Sequence, residues 1–138
     1  MRYPANLAPQ KEGGYTVTFP DIPEAITQGE DVEDALQHGY DVLLSAIDYY
    51  FEEKLPVPLP SRIRRGKPSV ALPASVSAKI LLHNEMLAKG VRRSELARRM
   101  HLPQPRINRL LNLRHASRMD TIEDAFRVLG KTLEVAAV

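Results

Sequence analysis

A proline-rich segment near the middle of the chain limits what this sequence can fold into. Residues 54–68, KLPVPLPSRIRRGKP, contain four prolines beside a basic cluster. Proline has no backbone N–H and a fixed φ, so such a composition resists helix and interior strand. We therefore expect two small domains within the 138 residues, the first over 1–73 with this segment included and the second over 74–138.

Charge is unevenly distributed along the chain. Residues 1–60 carry three Lys or Arg against eleven Asp or Glu, a net charge of −8, whereas residues 61–138 carry sixteen against six, a net charge of +10. The electrostatic field of a charged surface attracts molecules of opposite charge. The basic part therefore favours a polyanion as its partner, and the acidic part favours a basic partner. The alternative is chance segregation on a solvated surface.

The composition argues against a disulfide-bonded, secreted or membrane protein. The chain has no cysteine and is 43% hydrophobic, and it contains no apolar run approaching the roughly 20 residues that a membrane span requires. The beginning, MRYPANLAPQ, has no apolar stretch of signal-peptide length. We expect a cytoplasmic protein with a real core, without disulfides and without membrane association.

The first part predicts a small α+β unit of four strands and one helix. RYPANLA and YTVTF are β-prone runs separated by PQKEGG, whose glycines suit a hairpin turn. A third run covers 25–28, and SVALP, after the proline-rich segment, predicts a strand that returns to this sheet. Between them, apolar residues recur at helical spacing from Val32 to Phe51, and Asp31 precedes them as a candidate N-cap.

The second part predicts helices. SVSAKILLHNEMLAKG is typical of a helix that ends at Gly90. In RRSELARRMHLPQPRINRLLNL, Leu96 and Ala97 lie on one apolar face and Ile107 on another, with a tight corner between them. A small residue such as Ala97 suits the point where two helices of a helix-turn-helix cross. The alternative is an ordinary amphipathic hairpin with a solvated basic face.

The outward face of the second short helix has the chemistry to read DNA bases. Arginine can donate two hydrogen bonds to guanine, and Gln or Asn can do the same with adenine. Arginines around the first helix, and the residues that follow the second, would lie near phosphates. The predicted DNA-contacting residues are Arg93, Gln104, Pro105, Arg106, Asn108, Arg109 and Asn112.

Residues 74–130 resemble the Cro and phage-repressor class of helix-turn-helix domains. The resemblance rests on the pattern of Ala97, Leu102, Gln104, Ile107 and Leu110 and implies five helices. MDTIEDAFRVLG fits the fifth, with Asp120 as its cap and Gly130 as its end.

The final residues, KTLEVAAV, alternate like a strand but have no sheet in a helical domain. We therefore expect them to pair with a second copy, which makes the chain at least a dimer. The alternative is a frayed tail.

The stretch GGYTVTFPDIPEAITQGEDVEDALQHGYDVL is similar to the front module of the HicB antitoxins. The resemblance implies a truncated ribonuclease H-like fold in the first part, a DNA-binding rear domain and a small basic HicA-type toxin that cleaves mRNA. The acidic part would occlude the toxin and the basic part would repress the shared operon by binding operator DNA. Tyr49 is the candidate toxin contact, because Tyr50 and Phe51 fit the core better.

Two other functions remain open from the residues alone. The chain could be a stand-alone transcriptional regulator whose first part senses a small ligand or a protein. A metal-dependent nuclease would need carboxylates on the first strand, and RYPANLA has none. The four histidines show no metal-ligand spacing and no acidic companion, so we expect them at the surface. No catalytic residue, metal site or cofactor is predicted.

Overall fold

The computed structural model describes all residues 1–138, which form two compact units. The first unit contains Met1–Glu53 and Val57–Leu72, and the second contains Lys54–Pro56 and Pro73–Val138. The first is α+β and the second is helical, in agreement with the expected fold class at this level of detail. None of the helices combines the length and apolarity of a membrane-spanning segment.

The first unit has two small antiparallel sheets. Its strands are β1 (Arg2–Pro4), β2 (Asn6–Pro9), β3 (Tyr15–Thr18), β4 (Ile26–Gly29) and β5 (Ser69–Ala71). β2, β3 and β4 form one sheet in that order, and β5 pairs with β1 in the other. The prediction of four strands in one sheet is wrong, because the first β-prone run is divided at Ala5. That residue follows Pro4, which has no N–H to donate to a ladder, and its own N–H bonds the carbonyl of Pro68 at 3.0 Å.

The hairpin between β2 and β3 is confirmed. Gly13 and Gly14 have φ of 94° and 81°, values that glycine adopts without strain. The N–H of Gln10 donates to the carbonyl of Gly14 at 3.0 Å and closes the turn.

The helix of the first unit, α1, covers Val32–Glu52 and begins as predicted. The side chain of Asp31 accepts from the N–H of Asp34 at 2.8 Å, and the Asp34 carboxylate accepts from the N–H of Glu30 at 2.8 Å. The first bond satisfies one of the N–H groups that a helix start leaves free, and the second fixes the residue before the cap. Val32 itself is 46% exposed, although its spacing predicted a core position.

Helix α1 lies close to the sheet because glycine occupies two contact positions. A Cβ on Gly39 would be 3.3 Å from the Phe19 ring. A Cβ on Gly29 would be 2.4 Å from the backbone of Ala35, a distance that no side chain can tolerate. The core beneath the helix includes Val17, Phe19, Ile22, Ala25, Ala35, Leu43 and Ile47.

The proline-rich segment is irregular, as expected, but it is held in place. The hydroxyl of Tyr3 donates to the carbonyl of Pro58 at 2.8 Å. The N–H and hydroxyl of Ser61 both donate to Asp21, each at 2.9 Å. Tyr3 is fully buried, and burial raises the pKa of its hydroxyl, so it stays a donor.

The second unit contains four helices: α2 (Ala74–Lys89), α3 (Arg93–Met100), α4 (Gln104–Leu110) and α5 (Met119–Val128). Helix α2 ends at Gly90, whose φ of 64° is left-handed, as predicted. The core of this unit consists of Val76, Ala78, Ile80, Leu82, Met86, Val91, Leu96, Ala97, Ile107, Leu110, Leu111, Leu113, Ile122, Ala125, Phe126 and Leu129.

Two helix predictions for this unit are wrong. The resemblance implied five helices over 74–130, but residues 111–118 form turns and only four helices are present. The predicted cap of the last helix is also wrong, since Arg118 is the N-cap of α5, no side chain caps it, and Asp120 lies in the first turn.

The terminal strand is absent from the chain. Residues 131–138 have no regular structure, and all but Leu133 are exposed. A strand needs a partner for its backbone N–H and C=O groups, and the second unit contains no other strand.

Candidate nucleic-acid interface

Helices α3 and α4 pack across a three-residue corner, 101–103. His101 has φ of 55°, and the N–H of Leu102 donates to the carbonyl of Ala97 at 3.0 Å. This left-handed turn reverses the chain directly after α3. Leu96 and Ile107 are fully buried. The corner, the small Ala97 and the two apolar faces therefore lie as a helix-turn-helix requires.

The outer face of α4 has four side chains without a partner in the chain. Gln104, Pro105, Arg106 and Arg109 are all exposed. None of these side chains makes a hydrogen bond or an ion pair within the chain. Their polar groups are free to contact an external ligand.

The other three predicted contact residues are engaged within the chain. The guanidinium of Arg93 donates to the side-chain oxygen of Asn108 at 3.2 Å and joins the start of α3 to the middle of α4. Arg93 is half-buried, and burial lowers its pKa. The side-chain oxygen of Asn112 accepts from the N–H of Arg114 at 3.0 Å and fixes the turn after α4.

A buried lysine holds the chain that leaves α4. Lys79, on α2, is fully buried, and its ammonium donates to the carbonyls of Arg109, Asn112 and His115 at 3.3, 2.7 and 2.5 Å. An ammonium has three N–H groups, so all three are satisfied. Burial lowers the pKa of Lys79 to about 8, which leaves the ammonium charged at neutral pH.

This lysine contacts the segment where a fifth helix was expected. The carbonyls of Asn112 and His115, which follow α4, both accept hydrogen bonds from its ammonium. Sequence reasoning treated α2 as an ordinary helix and missed this residue. The available signal was a lysine inside the apolar run of SVSAKILL.

The exposed surface of the first unit combines acids with a few apolar side chains. Tyr49 is 47% exposed, whereas Tyr50 and Phe51 are buried, as predicted. The rings of Tyr49 and Tyr50 contact edge to face, with centroids 5.8 Å apart. The hydroxyl of Tyr50 donates to the carboxylate of Glu24 at 2.7 to 2.8 Å. Burial, and then this hydrogen bond, raise the pKa of Tyr50 to about 12. Ile26, Val32 and Leu59 are also exposed, which the sequence did not indicate.

Two histidines differ from the prediction. His83 is buried and its ring nitrogen contacts the carbonyl of Leu55 at 2.8 Å, with its pKa lowered by burial. His38 is exposed but has an acidic companion, since its Nε2 lies 3.6 Å from Asp34. A hydrogen bond to the carbonyl of Gln28 and the nearby acids raise the pKa of His38.

The chain contains no group of three or more His, Cys, Asp or Glu side chains that could hold a metal ion. Comparisons with known proteins cover its first part in one case and all or nearly all of its length in the others. A family model described as a HicB-like antitoxin of bacterial toxin-antitoxin systems matches residues 2–81. Antitoxin HicB of Escherichia coli strain K12 is 46% identical over 138 residues, which cover 100% of both chains.

The chain belongs to the HicB antitoxin family. Antitoxin HicB 2 of Photorhabdus laumondii is 43% identical over all 138 residues and 97% of its own length. Antitoxin HicB of Pseudomonas fluorescens is 30% identical over 125 residues, which are 90% of this chain and 86% of that protein. The antitoxin prediction is therefore confirmed, and this HicB-family chain is a member of a family of antitoxins and not of enzymes.

Replacing Lys79 by methionine should destabilise the second unit. Methionine has a similar length but donates none of the three hydrogen bonds that the ammonium makes, and a hydrogen bond to a charged group contributes about 1.5–3 kcal/mol. We expect the free energy of unfolding, measured by urea denaturation, to fall by at least about 2 kcal/mol on the same grounds.

Lys89→Met is the matched control on the same helix. Lys89 is exposed, donates to a single carbonyl, that of Leu129, and pairs with Glu85. Its loss should cost about 1 kcal/mol or less. Equal effects of the two substitutions would contradict the role assigned to Lys79.

Proposed function

We propose that this HicB-family antitoxin binds and occludes a small basic HicA-type toxin through its first part, residues 1–73, and represses its own operon through its second, residues 74–138. The first part would be a truncated ribonuclease H-like module, since an antiparallel β2-β3-β4 sheet is followed by one helix packed on it. The second would bind operator DNA.

The observation that carries the DNA-binding proposal is the free outer face of α4. Gln104, Arg106 and Arg109 are exposed and unpaired beyond a helix-turn-helix corner, while the opposite face is buried. Arginine and glutamine are the side chains that discriminate guanine and adenine in the major groove. Asn108 and Asn112 are less available because both already accept hydrogen bonds, so we assign base reading mainly to the unpaired residues.

Arg109→Ala should weaken operator binding by roughly 1 to 3 kcal/mol and affect non-specific DNA less. The substitution removes a bidentate donor from an exposed position, so the fold should be unchanged. The measurement is a gel-shift titration with a duplex from the region upstream of its own gene and with a shuffled duplex of equal length.

Arg127→Ala is the control for this experiment. Arg127 is an exposed arginine on α5 that pairs with Asp124 and Glu123 at 2.6 and 2.9 Å. Its loss should leave operator affinity unchanged. If Arg109→Ala behaves in the same way, α4 does not read the operator.

The toxin-binding proposal rests on the charge of the first unit and on its exposed apolar residues. The unit carries six Lys or Arg against eleven Asp or Glu, a net charge of −5. Such a surface speeds the encounter with a basic protein. Exposed ion pairs contribute only about 0–1 kcal/mol each, so lasting affinity needs an apolar centre. Tyr49 is the aromatic residue available for it.

Tyr49→Ala in the full chain should weaken binding of the toxin encoded beside it by about tenfold or more, as expected for an aromatic residue at an interface centre. Tyr49→Phe keeps the ring and should bind nearly as well. Isothermal titration calorimetry with the purified toxin measures both. If the alanine variant binds as tightly as the unchanged chain, Tyr49 lies outside the interface.

Co-purification distinguishes this proposal from a stand-alone regulator. The unchanged chain should purify with the product of a neighbouring short, basic reading frame that contains a histidine. If no such protein purifies with the chain while operator binding persists, the first part serves as a sensing module instead.

We also propose that the chain acts as a dimer or larger homo-oligomer. A single helix-turn-helix reads one major-groove face, and regulators of this type place two recognition helices roughly 34 to 36 Å apart. Residues 131–138 are exposed and alternate in the pattern of a strand, so a second copy could supply the partner that the single chain lacks.

Deleting residues 131–138 from the full chain should shift its mass towards the monomer and weaken operator binding. Circular dichroism should be nearly unchanged, because the deleted residues are not helical. The mass is measured by light scattering at micromolar concentration. A shortened chain that keeps the mass of a dimer would place the dimer contact on another surface.

A further inference from the structure

The strongest positive surface outside the second unit is a short loop of the first. Of the six Lys and Arg in that unit, four fall within six residues: Arg62, Arg64, Arg65 and Lys67. All four are exposed, and their side chains make no hydrogen bond or ion pair within the chain. We call residues 61–67 the basic loop.

The basic loop is held at both ends. At its start, Ser61 makes two hydrogen bonds to Asp21, each 2.9 Å long. At its end, the N–H of Lys67 donates to the carbonyl of Arg64 at 3.0 Å, Gly66 has a left-handed φ of 78°, and Pro68 bonds Ala5. The cations therefore lie on an ordered turn, so less backbone entropy is lost when the loop binds a ligand.

No acidic side chain pairs with the four cations of the basic loop. The unit has eleven Asp and Glu, yet none pairs with these four cations. The one carboxylate at the loop, that of Asp21, is used by Ser61. Four like charges in six residues repel one another, and a polyanion relieves this repulsion.

We propose that the basic loop binds the phosphate backbone of DNA and adds affinity to the helix-turn-helix without reading sequence. This inference rests on the proposed DNA-binding function. The loop precedes α2 by six residues, 68–73, so it is tethered to the unit that would hold the DNA. Tethering turns weak phosphate contacts into intramolecular ones with a high effective concentration. Phosphate contacts release counterions and make binding depend on salt.

The test compares two charge-matched double variants of the full chain. Arg64→Gln with Arg65→Gln removes two cations from the basic loop. Lys11→Gln with Lys54→Gln removes two exposed lysines elsewhere that also have no partner. Fluorescence anisotropy measures binding to the upstream duplex and to a shuffled duplex over a series of salt concentrations. Thermal unfolding confirms that both variants are folded.

The association constant K falls as salt rises, so the slope of log K against log salt is negative. The loop variant should make this slope shallower by about 1 to 2 on both duplexes, because each phosphate contact contributes about −0.9. The lysine variant should leave the slope unchanged. If the loop variant keeps the slope, or if both variants make it equally shallow, the proposal is overturned. The same holds if the unchanged chain binds neither duplex, or if a single-stranded RNA of equal length binds more tightly and depends on the loop instead.

The two duplexes separate this proposal from the proposed operator repression. If the unchanged chain binds both duplexes equally and the loop variant still makes the slope shallower, the loop binds DNA but specific repression fails. If the upstream duplex is preferred and the slope does not change, repression stands and the loop does not contact DNA.

Discussion

Carbonyl oxygens outside helices and strands need donors, and side chains supply them throughout this structure. Tyr3 donates to Pro58, Lys79 to Asn112 and His115 after α4, and Lys89 to Leu129. A buried polar group without a partner costs about 1–3 kcal/mol, so each of these contacts decides whether an irregular segment can be ordered. The proline-rich segment and the chain after α4 both depend on them.

The same requirement links the architecture to the proposed DNA contacts. Lys79 donates to the carbonyls of Arg109, Asn112 and His115, and Arg93 donates to the side chain of Asn108. Helix α4 is short, seven residues, so little of its order can come from its own hydrogen bonds. These contacts with α2 and α3 hold α4 in place, while Gln104, Arg106 and Arg109 remain exposed.

The sequence predicted the elements whose signals are local. The cap at Asp31, the glycine turn, the end of α2 at Gly90 and the buried face of Leu96 and Ile107 follow from patterns of a few residues. It did not predict features that depend on distant partners. His83 contacts a carbonyl 28 residues away in sequence, and Lys79 contacts three carbonyls that are 30 to 36 residues away. The first β-prone run is divided at Ala5, which bonds Pro68. The turns at 111–118 include two of the carbonyls that Lys79 contacts.

The connection between the two units crosses from one to the other more than once. The chain leaves the first unit after Glu53, contributes Lys54–Pro56 to the second, returns to the first for Val57–Leu72 and then enters the second again. His83 contacts one of the residues in that short excursion, Leu55. A chimaera of two relatives joined near residue 73 would therefore combine residues 54–56 of one parent with the helices of the other. These three residues belong with the helical unit, which constrains how such modules can be exchanged.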